Sequence, residues 1–308
     1  GIGIFLCFTS LSWSQTATWI GATGNWDVPS NWSPTGIPGT GHTVVISGAS
    51  SDVTIPAAYT AMCKAVRVLS GAKLRIQTTG ALHSNGSADD GVRVTDANSE
   101  ILNSGTILIG NTSSVAWRGL YMATGGKLTN HADALVEING CNNQGVLMVG
   151  SNTNLDNSGI IRIGNLSSIA WEGIDINSAA KIRNHASGTI ELDRINADGL
   201  KCFGAGTKIT NDGKLFMGKL ASINYTCFRI NDQAEIENSA TGQMEINNTN
   251  LYHGIDMWGV NTLFNNYGSI KIGNSSAIAW NGFYLSDNCI FNNHAGATIE
   301  INRSGNGF

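Results

Sequence analysis

The sequence predicts an all-β fold, a single-stranded parallel β-helix in which about 27 residues form one rung of three short strands. Two observations carry this prediction. One asparagine returns in each half of a long internal repeat, at a constant spacing apart from a single step that is one residue longer. Between its copies, short segments alternate apolar and polar residues with the period of strands rather than helices. The copies are Asn103, Asn130, Asn157, Asn184, Asn211, Asn238, Asn266 and Asn293.

Three apolar segments recur in each half-repeat and define the strands of a rung. One places an apolar residue two positions before the asparagine, as at Ile101. The next is an apolar pair such as Ile107 and Ile109, and the third usually opens with glycine, as in 119–122. Equivalent positions then stack about 4.8 Å apart. Because an asparagine amide both donates and accepts, and asparagine tolerates tight turns, the asparagines are expected to form an internal ladder. A rung of this length favours right-handed winding over left-handed hexapeptide coils.

The full repeat spans two rungs because the length of one turn alternates. Every second rung carries the longer turn Gly-Asn-x-Ser-Ser-x-Ala-Trp, at residues 110–117, 164–171 and 273–280, with a degenerate copy at 218–225. Each copy ends on an aromatic residue, and on a straight stack these rings would lie about 9.6 Å apart, close to the repeat of a disaccharide in an extended polysaccharide. The candidate ligand-binding residues are Trp117, Trp171, Tyr225 and Trp280.

Two interpretations of this aromatic row are open. In one, the flat rings face solvent and stack on sugars. In the other, each ring folds back with an apolar neighbour to close its own turn. The second is favoured because such a neighbour accompanies the ring in every copy: Val115, Ile169, Ile223 and Ile278.

Charged residues at the outward positions follow the same register. The middle of one strand reads Glu137, Arg162 and Glu191 on successive rungs, so that acid alternates with base. Each such cross-strand pair contributes about 0.2–1 kcal/mol. We therefore interpret these charges as devices that fix the register and keep the surface soluble.

Catalysis on a polysaccharide requires clustered carboxylates, or several aspartates that bind calcium beside a base. The nearest candidates are the Asp89–Gly91 turn, Asp175 with Arg183, and His253 with Asp256. None repeats a combined motif, and most lie in turns or in the paired charge columns. The sequence therefore predicts no catalytic residue.

Three histidines share one column but lie two rungs apart. These are His131, His185 and His294. A separation of about 9.6 Å is too large for nitrogens that bind one zinc ion. We predict that they pack in turns, and that the protein has no metal site and no cofactor.

The composition argues against nucleic acid as a binding partner. The chain of 308 residues has a net charge of −4 and only 13% charged residues, and its scattered Lys and Arg form no basic stripe, so nucleic acid is excluded. The cysteines after residue 14 are odd in number. Cys202 and Cys227 would lie about 11 Å apart, beyond the reach of a disulfide. We expect Cys202 in the core and free thiols elsewhere.

The N-terminal part of the chain, up to Cys63, differs in kind from the repeats. Residues 1–14 form an uncharged apolar run that ends in small residues, typical of a signal-peptide remnant with cleavage before Gln15 and too short for a membrane span. Residues 15–62 are rich in tryptophan, which suits a cap over the first rung. Residues 63–308 are predicted to be the solenoid, truncated at its C-terminal end.

A W-G…W…N-W…P-G…V-x-I pattern lies in this capping region, at Trp19, Gly21, Trp26, Asn31, Trp32, Pro38, Gly39, Val44 and Ile46. It resembles the N-terminal region of large secreted bacterial β-helix proteins, including adhesins and surface proteins of Bacteroidetes-type bacteria. The resemblance implies a secreted or cell-surface protein with a structural or adhesive role. A carbohydrate-binding solenoid that uses the aromatic row is the alternative, and a polysaccharide lyase or glycoside hydrolase comes third.

The last predicted rung has no covering coil in this chain. Ile299, Ile301 and Phe308 would lie at an open stack end, whose unpaired strand edges attract other molecules. We expect the isolated chain to associate end to end, and light scattering should detect oligomers. A clean monomer at high concentration would contradict this expectation.

Overall fold

The computed structural model describes residues 15–306, so the predicted signal remnant and Phe308 lie outside the described residues. The backbone is a parallel β-helix with three sheets of 12, 11 and 10 strands that run along the stack. Each rung contributes one strand to each sheet, which confirms the predicted three-strand rung. The right-handed winding stays a prediction.

The strands are short, and we number the sheets in the order in which the chain enters them. Sheet 1 contains Gln15–Trp19, Trp32–Ser33, His42–Ser47, Ala65–Leu69, Val92–Thr95, Leu120–Ala123, Val146–Val149, Ile174–Asn177, Leu200–Phe203, Phe228–Asn231, Ile255–Trp258 and Phe283–Leu285. Sheet 2 contains Thr23–Asn25, Asp52–Ile55, Lys73–Ile76, Glu100–Asn103, Lys127–Asn130, Asn154–Asn157, Lys181–Asn184, Lys208–Asn211, Glu235–Asn238, Leu263–Asn266 and Ile290–Asn293. Sheet 3 contains Thr60–Cys63, Ala81–Ser84, Thr106–Ile109, Leu135–Ile138, Ile160–Ile163, Thr189–Leu192, Lys214–Met217, Gln243–Ile246, Ser269–Ile272 and Thr298–Ile301.

Two further elements complete the described chain. Ile278–Asn281 pairs with Ser304–Asn306, and Pro29–Asn31 is a single turn of 3-10 helix. Among residues 15–306, no helix has both the length and the apolar character needed to cross a membrane.

The core is the set of inward columns that the period-two pattern predicts. Ile109 pairs in register with Ile138, and Ile138 with Ile163, and all three are buried. Burying one such side chain stabilises the fold by about 1.5–3 kcal/mol. The outward columns also follow the prediction, since Arg162 forms an ion pair with Glu191 at 2.7 Å.

The eight asparagines form one continuous row of side chains along the stack. The Nδ2 of each donates to the Oδ1 of the next at 2.7–2.8 Å, from Asn103 to Asn293. Inside the row, Asn184 Nδ2 also donates to the carbonyl oxygens of Gly188 at 3.3 Å and Lys214 at 3.0 Å. The ladder therefore ties the turn between sheets 2 and 3 to the next rung.

The stack begins earlier than the predicted boundary at residue 63. His42–Ser47, Asp52–Ile55 and Thr60–Cys63 already form a complete rung that pairs in parallel with the next one. The reason lies at the ladder position, where Ile55 and Ile76 stand in register with Asn103. Because the rung of Ile55 lacks the marker asparagine, the sequence did not reveal the repeat there.

The tryptophan-rich N-terminal region packs at the start of the stack, where Gln15–Trp19 pairs in parallel with His42–Ser47. Trp32 contacts Trp19 and Trp26 edge to face, with ring centroids 5.0 and 4.9 Å apart. Trp26 and Trp32 are fully buried, and the Nε1 of Trp32 donates to the carbonyl oxygen of Trp26 at 2.8 Å. At the other end of the described chain, Ile299 and Ile301 are only half-buried, whereas Ile270 and Ile272 one rung earlier are fully buried.

The described cysteines Cys63, Cys141, Cys202, Cys227 and Cys289 are all free thiols. Cys202 lies in the core, as expected. Burial raises the pKa of Cys63 and that of Cys141 to about 12, so these two thiols are unreactive at neutral pH.

Replacing one ladder asparagine tests how much the row stabilises the fold. Asn184→Ala takes the donor away from the buried Oδ1 of Asn211 and from the carbonyl oxygen of Lys214, and it removes one acceptor from Asn157, so we expect the free energy of unfolding to fall by about 2–3 kcal/mol in chemical denaturation. The control is Asn292→Ala, which removes an exposed hydrogen bond to Asn265 and should cost less than about 0.5 kcal/mol. Equal losses would show that the ladder does not stabilise the stack.

Candidate functional site

The turns that lead from sheet 3 to sheet 1 form one side of the stack, which we call the aromatic edge. The rings predicted to bind ligand lie here and are exposed: Trp117 by 51%, Trp171 by 55%, Tyr225 by 41% and Trp280 by 53%. Their apolar companions are buried instead, as at Val115 and Ile169. The expectation that ring and companion close the turn together is therefore wrong. The companion alone fills the interior, and the ring remains outside.

The buried companions stack as a fourth short column beside the three sheets. Parallel bridges join Val115, Cys141, Ile169, Ile195, Ile223 and Thr249 from rung to rung. This column holds the base of each turn against its neighbours. The ring follows two positions after the bridged residue, so this column also fixes where the ring leaves the turn.

A second set of polar residues fastens the long turns and was not predicted from the sequence. The side-chain Oδ1 of a short-turn residue accepts the backbone N–H of the following long turn, at 2.7–2.9 Å. The accepting residues recur once in every two rungs at a constant spacing, so the signal was present in the sequence. We call them the turn clamps: Asn85, Asn139, Asp193 and Asn247.

The four rings differ in what covers them. The Arg118 guanidinium lies 4.7 Å from the ring centroid of Trp117. Tyr225 stacks on Tyr252 with centroids 5.5 Å apart, and Tyr252 also contacts Trp280 at 5.5 Å. Tyr252 belongs to a short turn, outside the two-rung pattern, and so was not predicted. The C-terminal half of the edge is thus a nearly continuous aromatic ridge.

Trp171 stands apart from the other rings. In the rungs on either side, its place is taken by Asn143 and Ala197, which are polar or small. Within the part of the chain that the structure describes, Trp171 has no ring or cation against its faces. Exposed leucines add to the apolar surface nearby, with Leu166 exposed by 61% and Leu220 by 62%. An apolar stripe of this kind marks an interaction surface.

A row of buried carboxylates runs beside the rings, where the aromatic edge meets sheet 1. We call Glu172, Asp175, Asp198 and Asp256 the carboxylate row, and each is less than 9% exposed. Two cations neutralise part of it. Lys201 Nζ lies 3.7 Å from Glu172 Oε1, and Arg229 Nη1 lies 2.9 Å from Asp198 Oδ2, with Asp256 Oδ2 at 3.3 Å from its Nε.

Burial controls the titration of this row. It raises the pKa of Asp175 to about 6; Lys201 opposes the rise, and the negative charges of Glu172 and Asp198 add to it. Burial also raises the pKa of Asp198 and that of Asp256, while it lowers the pKa of His253 and so keeps that imidazole neutral at pH 7. Burial therefore disfavours the ionised form of these aspartates.

The structure separates some of the candidate catalytic residues and brings others together. Asp175 lies in sheet 1 and Arg183 in sheet 2, where Arg183 pairs with Asp212 at 3.4 Å. His253 and Asp256 do lie together, at the C-terminal end of the carboxylate row.

The Asp89–Gly91 turn is the centre of an ion-pair cluster. Asp90 is fully buried and accepts from Arg93 and from Arg118, both at 2.6 Å. Asp89 accepts from Arg67 at 2.8 Å, and Arg118 lies 3.8 Å above the ring of Tyr121. This arrangement holds both aspartates in structural contacts.

The histidines of the predicted turn column contact their own surroundings. His185 Nε2 lies 3.4 Å from Asp156 Oδ1, and His294 stacks on Tyr267 with centroids 3.9 Å apart. Residues 15–306 contain no group of three or more His, Cys, Asp or Glu side chains placed to hold a metal ion.

Comparison with known proteins gives two matches. A family described as a domain of unknown function (DUF8693) matches residues 18–116, the tryptophan cap and the first rungs. No curated protein matches the chain. Among solved structures, the crystal structure of a TibC-catalyzed hyper-glycosylated TibA fragment is similar at 10% identity and a TM-score of 0.20, covering 95% of this chain and 98% of that one. Neither match assigns a function to the chain.

The raised pKa of Asp175 predicts that replacing this residue increases the stability of the fold, by an amount that depends on pH. An aspartate with a raised pKa destabilises the folded state when ionised, so its penalty is absent below pH 3.8 and complete above about pH 6. Asp175→Asn should therefore raise the free energy of unfolding by up to about 3 kcal/mol at pH 8. Denaturant titrations should show this gain shrinking between pH 6 and pH 4. A gain that does not change with pH would exclude titration of Asp175 as its cause.

Proposed function

We propose that this solenoid is an extracellular adhesive protein, secreted or held at the cell surface of a bacterium, and that its aromatic edge binds an extended polysaccharide. The observation that carries the proposal is the exposure of Trp117, Trp171, Tyr225 and Trp280 while their apolar companions are buried. The buried companions close the turns, so the exposed rings are free to contact another molecule. The uncharged apolar sequence of residues 1–14, which we predict to be a signal-peptide remnant, supports export.

The geometry of the edge suits a long, repetitive ligand. The rings recur every second rung, about 9.6 Å apart along a straight stack, so that successive sugar units of one chain can meet successive rings. Flat aromatic faces bind the apolar face of a pyranose, and neighbouring polar groups that are partly exposed, such as Asn143 and Gln144, can bind its hydroxyls.

The surface is also held in place before any ligand arrives. The turn clamps accept a backbone N–H near the beginning of each long turn, and the buried companion column holds the residue two positions before the ring. A rigid surface loses little conformational entropy on binding, which raises affinity for a given contact area. Adhesion through several equivalent rings would then gain further from multivalency.

Removal of the most open ring tests the proposal. Trp171→Ala should weaken binding of the 308-residue chain to polysaccharides on a glycan array by about 10-fold, since a central aromatic contact is worth more than about 1 kcal/mol. The matched control is Trp258→Ala. Trp258 is 37% exposed, but it is the last residue of its strand in sheet 1, whereas the aromatic edge lies before the first residue of that strand. Unchanged binding for both variants would contradict the proposal.

A further inference from the structure

The charge beside Trp171 selects among polysaccharides, an inference that rests on the proposed function. Glu172 follows the ring directly in the chain, and Asp198 lies one rung further on, where the carbonyl oxygen of Asp198 accepts the N–H of Gly173 at 3.0 Å. Asp175 lies in the same neighbourhood, and Lys201 is the cation that faces this group. Glu172 and Asp175 therefore share one ammonium group beside the open ring, whereas Asp198 is paired with Arg229 at 2.9 Å.

The imbalance continues along the row. Arg229 adds a second cation and Asp256 a fourth carboxylate, so the row carries two negative charges in excess when all four carboxylates are ionised. Arg229 contacts only one oxygen of Asp256; the other, Oδ1, is buried and has no hydrogen-bond partner among the described residues. His253, packed beside it, contributes no compensating charge, since burial lowers its pKa.

The rings reinforce the preference that these charges create. His253 stacks on Tyr284 with centroids 4.7 Å apart and meets Trp280 at 5.7 Å, so aromatic faces border the far end of the row. Aromatic faces attract cations, and Trp does so most strongly. The faces of Trp171 and the carboxylates beside it therefore present the same electrostatic sign to a ligand.

We propose that the aromatic edge is specific for polysaccharides whose hexosamine units carry free ammonium groups. The excess negative charge of the carboxylate row beside Trp171 attracts an ammonium group on a pyranose that stacks on this ring. The carboxylate of a uronic acid would be repelled at the same place. An acetylated amine has no charge and gains nothing from the row.

Three oligosaccharides of equal length separate these cases: β-1,4-linked glucosamine with free amines, the same oligomer fully N-acetylated, and an oligomer of uronic acid. Calorimetric titration of the 308-residue chain at about pH 7, above the raised pKa of Asp175, and at low ionic strength should show about 10-fold tighter binding of the free-amine oligomer than of the N-acetylated one. The uronic acid oligomer should bind most weakly. The preference should shrink in high salt, because exposed charges are screened there.

Two charge variants should shift the preference in opposite directions. Glu172→Gln removes a negative charge and should lower the free-amine preference by about 3-fold or more, whereas Lys201→Gln removes the opposing cation and should raise it. A change that only disturbed the fold could not raise the preference. Trp258→Ala is the control and should leave all three affinities unchanged.

The outcomes distinguish this inference from the function on which it rests. If none of the three oligomers binds, the proposed polysaccharide binding fails and the charge preference with it. If the N-acetylated oligomer binds as tightly as the free amine, and Trp171→Ala weakens the binding of both, polysaccharide binding stands and the charge preference is overturned. A lower preference in Lys201→Gln would also overturn it.

Discussion

In-register pairing between rungs is the constraint on which the rest of this structure depends. Each strand forms hydrogen bonds with the equivalent strand one rung before and after it, without a shift across sheet 2 from Asn103 to Asn293. A single residue type at a single position therefore becomes a row along the stack. The asparagine ladder, the core columns, the aromatic edge and the carboxylate row are all such rows, and a slip by one residue would turn every inward side chain outward.

This constraint also explains how much could be predicted from the sequence. The rung, the core columns and the ladder residues follow directly, because a fixed period places residues such as Ile109 and Ile138 side by side. The rung that carries Ile55 was missed, since the period was recognised through asparagine alone. The exposure of Trp171 could not be predicted either. It depends on which of two apolar residues in one turn enters the core, and both choices satisfy the same pattern.

The outward rows show that one arrangement serves two purposes. In sheet 3, acid alternates with base at Glu137, Arg162 and Glu191, and Arg162 pairs with Glu191 at 2.7 Å. In the carboxylate row the alternation fails, because the four carboxylates face only two cations, Lys201 and Arg229. Sequence columns read one at a time conceal this difference. Glu172 and Asp198 lie in the turn and Asp175 and Lys201 in the strand, and only the fold puts the two columns next to each other.

The turn clamps have a consequence for how such a protein can lengthen. Each clamp, such as Asn139 or Asp193, sits on a short-turn rung and fastens the long turn of the rung after it. A duplication of one rung would place two short or two long turns in succession and leave a clamp without its partner. Duplication of two rungs keeps every clamp matched and adds one further ring to the edge. Gene duplication can thus increase valency for a repetitive ligand two rungs at a time, with every stacking contact of the fold preserved.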